Sequence, residues 1–279
     1  MSTSEILLLG AIAGGTIFLG LPIGRMQLGP NARSGLSALA TGILVFLLWD
    51  VLSGAVDPID TSLQAHHWGR FAELSTLGAL GFTAGLMSLV YYESWMKQRA
   101  DRRSSSLVGP GAAAVDEFLE RQRLDLTNPA IRLSFLIAIG IGVHNLAEGL
   151  AIGQAAAASQ IALAVTLIIG FGLHNATEGF GICGPLSGAG IVPSWRLLGL
   201  LGLIGGAPTF FGTVVGQAWT SEALSVVFLA LAGGSILYVV IELLNVLRGA
   251  GSKAMVTWGL LLGLVLGLGT DFILVAVGA

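Results

Sequence analysis

Apolar stretches long enough to cross a lipid bilayer recur along almost the whole chain. A helix of about twenty apolar residues spans the hydrocarbon core, and by that measure the sequence predicts eight spans. They lie near residues 5–23, 35–56, 71–95, 130–155, 160–184, 194–218, 222–247 and 254–277. With 54% hydrophobic and only 10% charged residues, the composition excludes a soluble globular domain. We expect an all-α polytopic membrane protein, with eight transmembrane helices in one compact bundle and a single domain over residues 1–279.

The basic residues are distributed unevenly between the two sides of such a bundle. If eight spans alternate, Arg70 is the only Lys or Arg on one side. The other side receives Arg25, Arg33, Lys97, Arg99, Arg102, Arg103, Arg121, Arg123, Arg132, Arg196, Arg248 and Lys253. Cytoplasmic connections carry the excess of Lys and Arg. We therefore predict a cytoplasmic loop over 96–129, with a short helix near 113–124, and both termini outside. The protein is expected to cross the lipid bilayer of the cell (plasma or inner) membrane many times.

A six-residue motif with ionisable side chains occurs twice inside these apolar stretches. His144-Asn145-x-x-Glu148-Gly149 lies in the predicted fourth span, and His174-Asn175-x-x-Glu178-Gly179 lies thirty residues later in the fifth. An ionisable side chain at the centre of a membrane helix costs roughly 2.5–3.5 kcal/mol on insertion scales. Four such side chains in two matched groups require a compensating positive charge, and a divalent metal ion is the simplest candidate.

The spacing within each motif places its His and Glu together, because residues four apart share one helix face. In antiparallel helices, His144 should lie level with Glu178, and Glu148 level with His174, with about 6 Å between the levels. Two nitrogen and two oxygen donors suit zinc, and also ferrous iron, manganese or cadmium. The predicted metal ligands are His144, Glu148, His174 and Glu178.

Each motif also contains an asparagine directly after its histidine, and each His–Glu pair has a second, purely structural interpretation. Asn145 and Asn175 lie about 100° round each helix from the histidines, so their amide oxygens could be additional metal ligands or could orient the ligands by hydrogen bonds. A buried His–Glu pair can also simply tie two helices together. The occurrence of two matched copies on adjacent spans favours a metal site over that structural role.

Three further acidic residues could line a pathway for a cation. Asp50 and Asp271 lie toward the outer ends of the second and eighth predicted spans, and Glu242 lies at the inner end of the seventh. An acidic approach would raise the local concentration of cations. The alternative is that these are ordinary helix-end charges, with Glu242 paired to Arg248.

At these motifs the chain resembles the ZIP family (Zrt/Irt-like proteins) of divalent-metal transporters. The family's fourth-span pattern is commonly His-Asn-x-Pro-Glu-Gly, and here Ala147 replaces the proline. The resemblance implies eight spans with external termini, a long cytoplasmic third loop and a homodimer. It also implies that a divalent metal ion is the transported substrate and that the protein is neither an enzyme nor dependent on a cofactor.

The resemblance also bears on the number of metal ions. The family can hold a second metal through the fourth-span Asn, a fifth-span acid, and a Glu that precedes a proline in the sixth span. The corresponding residues here are Asn145, Asn175 and Ala207, which follow the pattern only at the first position. A mononuclear site is therefore expected.

Two other classes of function give different sequence patterns. An intramembrane zinc-dependent metalloenzyme predicts a His-Glu-x-x-His helix or an open three-ligand site, and the sequence has no His-Glu-x-x-His. A metal sensor or scaffold predicts a sizeable soluble domain, and the longest connection is only about thirty residues. We expect no nucleic-acid partner.

Overall fold

The computed structural model describes residues 2–26, 29–106, 128–158, 161–249 and 252–276. Within these ranges the chain is helical and contains no strand. The elements are α1 (Thr3–Gly15), α2 (Ile17–Gly20), a 3₁₀ helix (Leu21–Arg25), α3 (Pro30–Gln64), α4 (Trp68–Ser106), α5 (Pro129–Ala157), α6 (Ile161–Gly188), α7 (Trp195–Ala218), α8 (Glu222–Leu247) and α9 (Lys253–Ala276).

Most of these helices are long and apolar enough to cross a membrane. Judged by length and composition, seven segments of the described chain meet that requirement. They are Thr3–Arg25, Pro30–Gln64, Trp68–Arg99, Pro129–Ala157, Trp195–Ala218, Glu222–Leu247 and Lys253–Phe272. The prediction of an all-α polytopic membrane protein is confirmed as far as helix content, helix length and composition are concerned. The remaining long helix, α6, carries the second motif.

The fold departs from the sequence prediction where the third span ends. Residues 96–106 were expected to begin a loop, but α4 continues as helix through Ser106. This segment has no glycine or proline and contains Met, Lys, Gln, Ala and Arg, which favour helix even in water. The predicted short helix near 113–124 lies outside the described residues.

The first predicted span is not one continuous helix. α1 ends at Gly15, and the Thr16 hydroxyl donates to the Ala13 carbonyl at 2.7 Å. Pro22, which has no N–H to donate, then stands in the 3₁₀ helix. Carbonyls in the last turn of a helix lack their usual amide partners. The break therefore leaves backbone acceptors available to the neighbouring helix α6.

The start of α5 is fixed by local sequence. Asn128 is the N-cap, and its side-chain oxygen accepts a hydrogen bond from the Ala130 amide at 2.9 Å. Pro129 follows at the first helical position, where its missing N–H costs nothing. This cap sets where along α5 the first motif lies.

Two apolar clusters pack against the helices that carry the motifs. The smaller one joins α1, α5 and α6, and it consists of Ile6, Ala13, Ile152, Ala155, Ala156, Ala164 and Ile168. The larger core includes Ile141 on α5 and Ile182 on α6. Along each helix the motif therefore lies between a residue of one cluster and a residue of the other, so its polar groups form a layer between two apolar regions.

Candidate metal centre

The imidazole and carboxylate groups of the two motifs converge between α5 and α6. The exposed fraction is 1% for His144, 4% for Glu148, 7% for His174 and 2% for Glu178. We call these four residues the His–Glu cluster. Groups that ionise or carry strong dipoles are rarely this buried unless they have a partner.

The contacts across the two helices follow the levels expected from the sequence. His144 Nε2 lies 3.1 Å from Glu148 Oε1 on its own helix and 3.8 Å from Glu178 Oε1 on the other. His174 Nε2 lies 3.3 Å from Glu148 Oε1. Both imidazoles therefore approach one carboxylate oxygen, and the second carboxylate closes the group beside His144.

These close contacts do not satisfy the polar atoms of the cluster. Both ring nitrogens of each histidine, and both carboxylate oxygens of each glutamate, are buried without a hydrogen-bond partner. Leaving one buried polar group unpaired costs about 1–3 kcal/mol, and more for a charged group. Eight such atoms at one place indicate a site that needs a further partner, and a cation complements two carboxylates.

The Nε2–Oε1 separations in the cluster are close to those between the ligand atoms of a zinc site, but the side chains are not yet arranged around a common centre. The described residues include no group of three or more His, Cys, Asp or Glu side chains already arranged to hold a metal ion. With zinc bonds of about 2.0–2.1 Å, the edge of a ligand tetrahedron is roughly 3.4 Å. The three Nε2–Oε1 separations of 3.1, 3.3 and 3.8 Å lie close to that edge. Three of the six donor–donor edges of a four-ligand site are therefore near the length that zinc requires.

The two asparagines link the motif helices to their neighbours. Asn145 Nδ2 donates to the Gly205 carbonyl of α7 at 2.9 Å, and Asn175 Nδ2 donates to the Ala13 carbonyl of α1 at 3.1 Å. Both asparagines are fully buried, and neither Oδ1 atom has a hydrogen-bond partner. Each amide thus serves helix packing through its nitrogen and leaves its oxygen available.

Sequence reasoning missed one polar residue in this region. Thr209 on α7 is fully buried, and its hydroxyl has no hydrogen-bond partner. Its backbone lies against Gly149, the last residue of the first motif. A threonine one position after the Ala207-Pro208 pair was the only available signal. At this level α7 therefore offers a hydroxyl and the Gly205 carbonyl, whereas Ala207 offers no donor atom.

The three acidic residues of the expected pathway lie at different places. Asp50 on α3 and Asp271 on α9 are half-buried, and Asp50 lies near enough to Asp271 and to the His–Glu cluster for electrostatic interaction. Glu242 on α8 is within electrostatic range of Glu93 and Lys97 of α4, which form an ion pair with each other. The aspartates therefore lie in the surroundings of the His–Glu cluster, whereas Glu242 lies near a separate ion pair.

The described chain is all-helical, with helices long and apolar enough to cross a membrane and a buried layer of imidazoles and carboxylates between two of them. The family model described as ZIP zinc transporter matches residues 120–270, which is more than half of the 279-residue chain. The chain belongs to the ZIP family, as its motifs predicted. No curated protein matches it significantly. Family membership implies divalent-metal transport across a membrane rather than enzymatic catalysis.

Proposed function

We propose that the protein carries a divalent transition-metal ion into the cytoplasm through the His–Glu cluster. Zinc fits best, and ferrous iron, manganese and cadmium are alternative substrates with compatible ligand preferences. Two ionised glutamates supply two negative charges, and two neutral imidazoles supply nitrogen donors. This set matches the charge of a divalent ion and its preference for four donors.

The observation that carries the proposal is the complete set of eight unpartnered buried atoms in the cluster. A purely structural His–Glu tie would use its donors and acceptors in hydrogen bonds, because that is its contribution to stability. Here the imidazoles of His144 and His174 approach Glu148 at 3.1 and 3.3 Å, but their orientation does not give aligned hydrogen bonds. A bound metal ion would satisfy one donor atom from each of the four side chains at once.

The proposed topology has eight spans with both termini outside. α6 is 28 residues long, or about 42 Å as a helix, so it can cross the hydrocarbon core. Only three residues separate the end of α5 from the start of α6, so the two helices run in opposite directions. With that alternation the basic residues concentrate on one side, which we assign to the cytoplasm. Residence in the cell membrane and homodimerisation are further parts of the proposal.

We propose that Asp50 and Asp271 attract cations from the outer side and pass them to the His–Glu cluster. Their carboxylates would attract cations to the outer half of α3 and α9. Alternating exposure of the cluster to the two sides would then move the ion, and the membrane potential favours inward movement of positive charge.

Uptake into sealed vesicles tests the proposal directly. The purified chain is reconstituted with a metal-sensitive dye inside, and zinc, manganese, iron(II) or cadmium is added outside. We expect uptake of at least one of these ions, driven faster by an inside-negative potential. Vesicles that carry a variant with both Glu148 and Glu178 changed to Gln are the matched control. Fluorescence changes no larger than in that control would refute transport through this site.

The site should hold one metal ion per chain. Asn175 and Ala207 are neutral where a second divalent ion would need carboxylates, so charge compensation suffices for one ion only. Metal content after dialysis and anomalous scattering from zinc- or cadmium-soaked crystals both report the number. Two strong peaks about 4 Å apart would show that the amide oxygens and the Thr209 hydroxyl complete a second site.

A further inference from the structure

A pocket of about 270 Å³ lies between the ends of three helices on the arginine-rich side of the molecule. Its walls come from the first two turns of α3, the last turns of α6, and the end of α8 with the following turn. None of its nine lining residues is acidic. Arg33, Ser34 and Ser37 place some polar groups in a mostly apolar lining, and the pocket has no carboxylate that would hold a metal tightly.

The pocket lies on the same helix as the innermost carboxylate of the His–Glu cluster. Gly184 lines it, and Glu178 is six residues earlier on α6, or about 9 Å along the axis. Between them α3 and α6 meet through small residues: the space beside Gly181 is bounded by the Ala40 methyl group at 3.7 Å. This is the level at which α3 and α6 would have to separate for the cluster to reach the pocket.

The Arg33 side chain links two of the helices that form the pocket wall. Arg33 on α3 donates from Nη1 to the Ser187 carbonyl of α6 at 2.8 Å. Its Nε atom is buried without a hydrogen-bond partner. Ser187 belongs to the last turn of α6, where the helix dipole favours a cation. Arg33 thus provides a tethered cation at a position that attracts positive charge.

A second polar group lines the pocket. Ser37 is only 8% exposed, and its hydroxyl donates no hydrogen bond within the described part of the chain. It points toward Gly184, where a side chain would come within 3.0 Å of the hydroxyl oxygen. The pocket also has room for an ion with about six waters, which occupies roughly 180 Å³ at 30 Å³ per water.

We propose that this pocket is the inner mouth of the metal path and that Arg33 is its gate. The inference rests on the proposed transport function. A divalent ion that leaves Glu178 enters the pocket with its water shell, passes Ser37, and is released because no carboxylate retains it. Release requires favourable but weak binding. For the path to open, Arg33 has to give up the Ser187 carbonyl, and its return closes the mouth and repels ions from the cytoplasmic side.

The test measures access to Ser37 from the arginine-rich side. A Ser37→Cys variant is made in a Cys183→Ser background, since Cys183 is the sole native thiol. A cationic, membrane-impermeant thiol reagent is applied to that side of reconstituted vesicles. Adding Arg33→Gln should accelerate labelling about tenfold. That factor corresponds to the free energy of one lost charge-assisted hydrogen bond. Zinc that moves through the protein should slow labelling in both backgrounds.

Arg25→Gln is the matched control, because Arg25 also bonds a carbonyl across helices, that of Pro193, but does not line the pocket. It should change labelling less than twofold. In the otherwise native chain, Arg33→Gln should change the maximal zinc uptake rate about threefold or more and leave the half-saturating concentration and the bound metal unchanged. Arg33→Lys, which keeps the charge, should give an intermediate rate and also serves if the glutamine variant does not fold.

The outcomes separate the two proposals. If the native chain moves no metal, the transport function fails, whatever the labelling shows. If the native chain transports zinc but Arg33→Gln leaves labelling and uptake rate as they were, Arg33 is not a gate. If zinc flux never protects the thiol introduced by Ser37→Cys while uptake proceeds, the metal leaves by another route and the pocket is not the mouth.

Discussion

Replacing either buried glutamate of the cluster with glutamine should abolish most zinc uptake while the protein still folds. We expect Glu148→Gln and Glu178→Gln each to reduce uptake at least about a hundredfold. Changes in groups that only support a metal ligand already cost 10–100-fold, and these variants remove a charged ligand itself. Glutamine keeps the shape of the side chain, so packing between α5 and α6 is preserved.

The metal-free form of Glu178→Gln should be at least as stable as the native chain. Glu178 is buried, and its contact with His144 Nε2 is 3.8 Å, so its charge is poorly compensated. Glu148 lies 3.1 and 3.3 Å from the two imidazoles, so Glu148→Gln should lose part of its metal-free stability. Thermal unfolding with and without zinc, measured beside uptake, separates loss of function from loss of fold. Glu222→Gln is the control, because Glu222 is half-exposed and pairs with Arg70 at 2.7 Å on the surface. Native-like uptake in either cluster variant would mean that the metal takes another route.

A methyl group at the last residue of the first motif should destabilise the whole fold. The Cβ of Gly149→Ala would meet the Thr209 carbonyl oxygen at 2.0 Å, and a backbone atom cannot rotate away as a side chain can. We expect a loss of at least about 3 kcal/mol, the upper end of the usual overpacking cost. At this chain length that corresponds to a fall in Tm of about 6 °C or more.

The matched control is Gly172→Ala on α6. The nearest atom to its added Cβ is the Thr16 methyl group at 3.4 Å, which is ordinary contact, so stability should change by less than about 1 kcal/mol. Thermal unfolding in the same detergent compares the two variants. An equal Tm for both would contradict the close packing of α5 on α7 described here.

The two motif glycines pack against helices outside the motif pair. A glycine lets two backbones approach closely because it has no Cβ. The structure places Gly149 against Thr209 of α7, and Gly179 against the Ile17 carbonyl of α2. A glycine in a sequence indicates that something comes close, but only the tertiary arrangement decides what.

The sequence by itself determined the class of fold, the family and the four residues of the cluster. Helix periodicity and the length of apolar stretches are local properties, because a membrane helix satisfies its backbone within its own segment. The His-x-x-x-Glu spacing likewise fixes one helix face without reference to any other helix. The extension of α4 to Ser106 was missed because polar helices carry no apolar signal.

The tertiary structure alone decided which neighbours the polar groups meet. The amide nitrogens of Asn145 and Asn175 bond to carbonyls of α7 and α1, which the sequence did not indicate, while their amide oxygens have no hydrogen-bond partner. The involvement of Thr209, and the bond from Arg33 to Ser187 across 154 residues of sequence, arise in the same way. Such contacts depend on how helices that are far apart in sequence pack side by side, and no local pattern of residues encodes that arrangement.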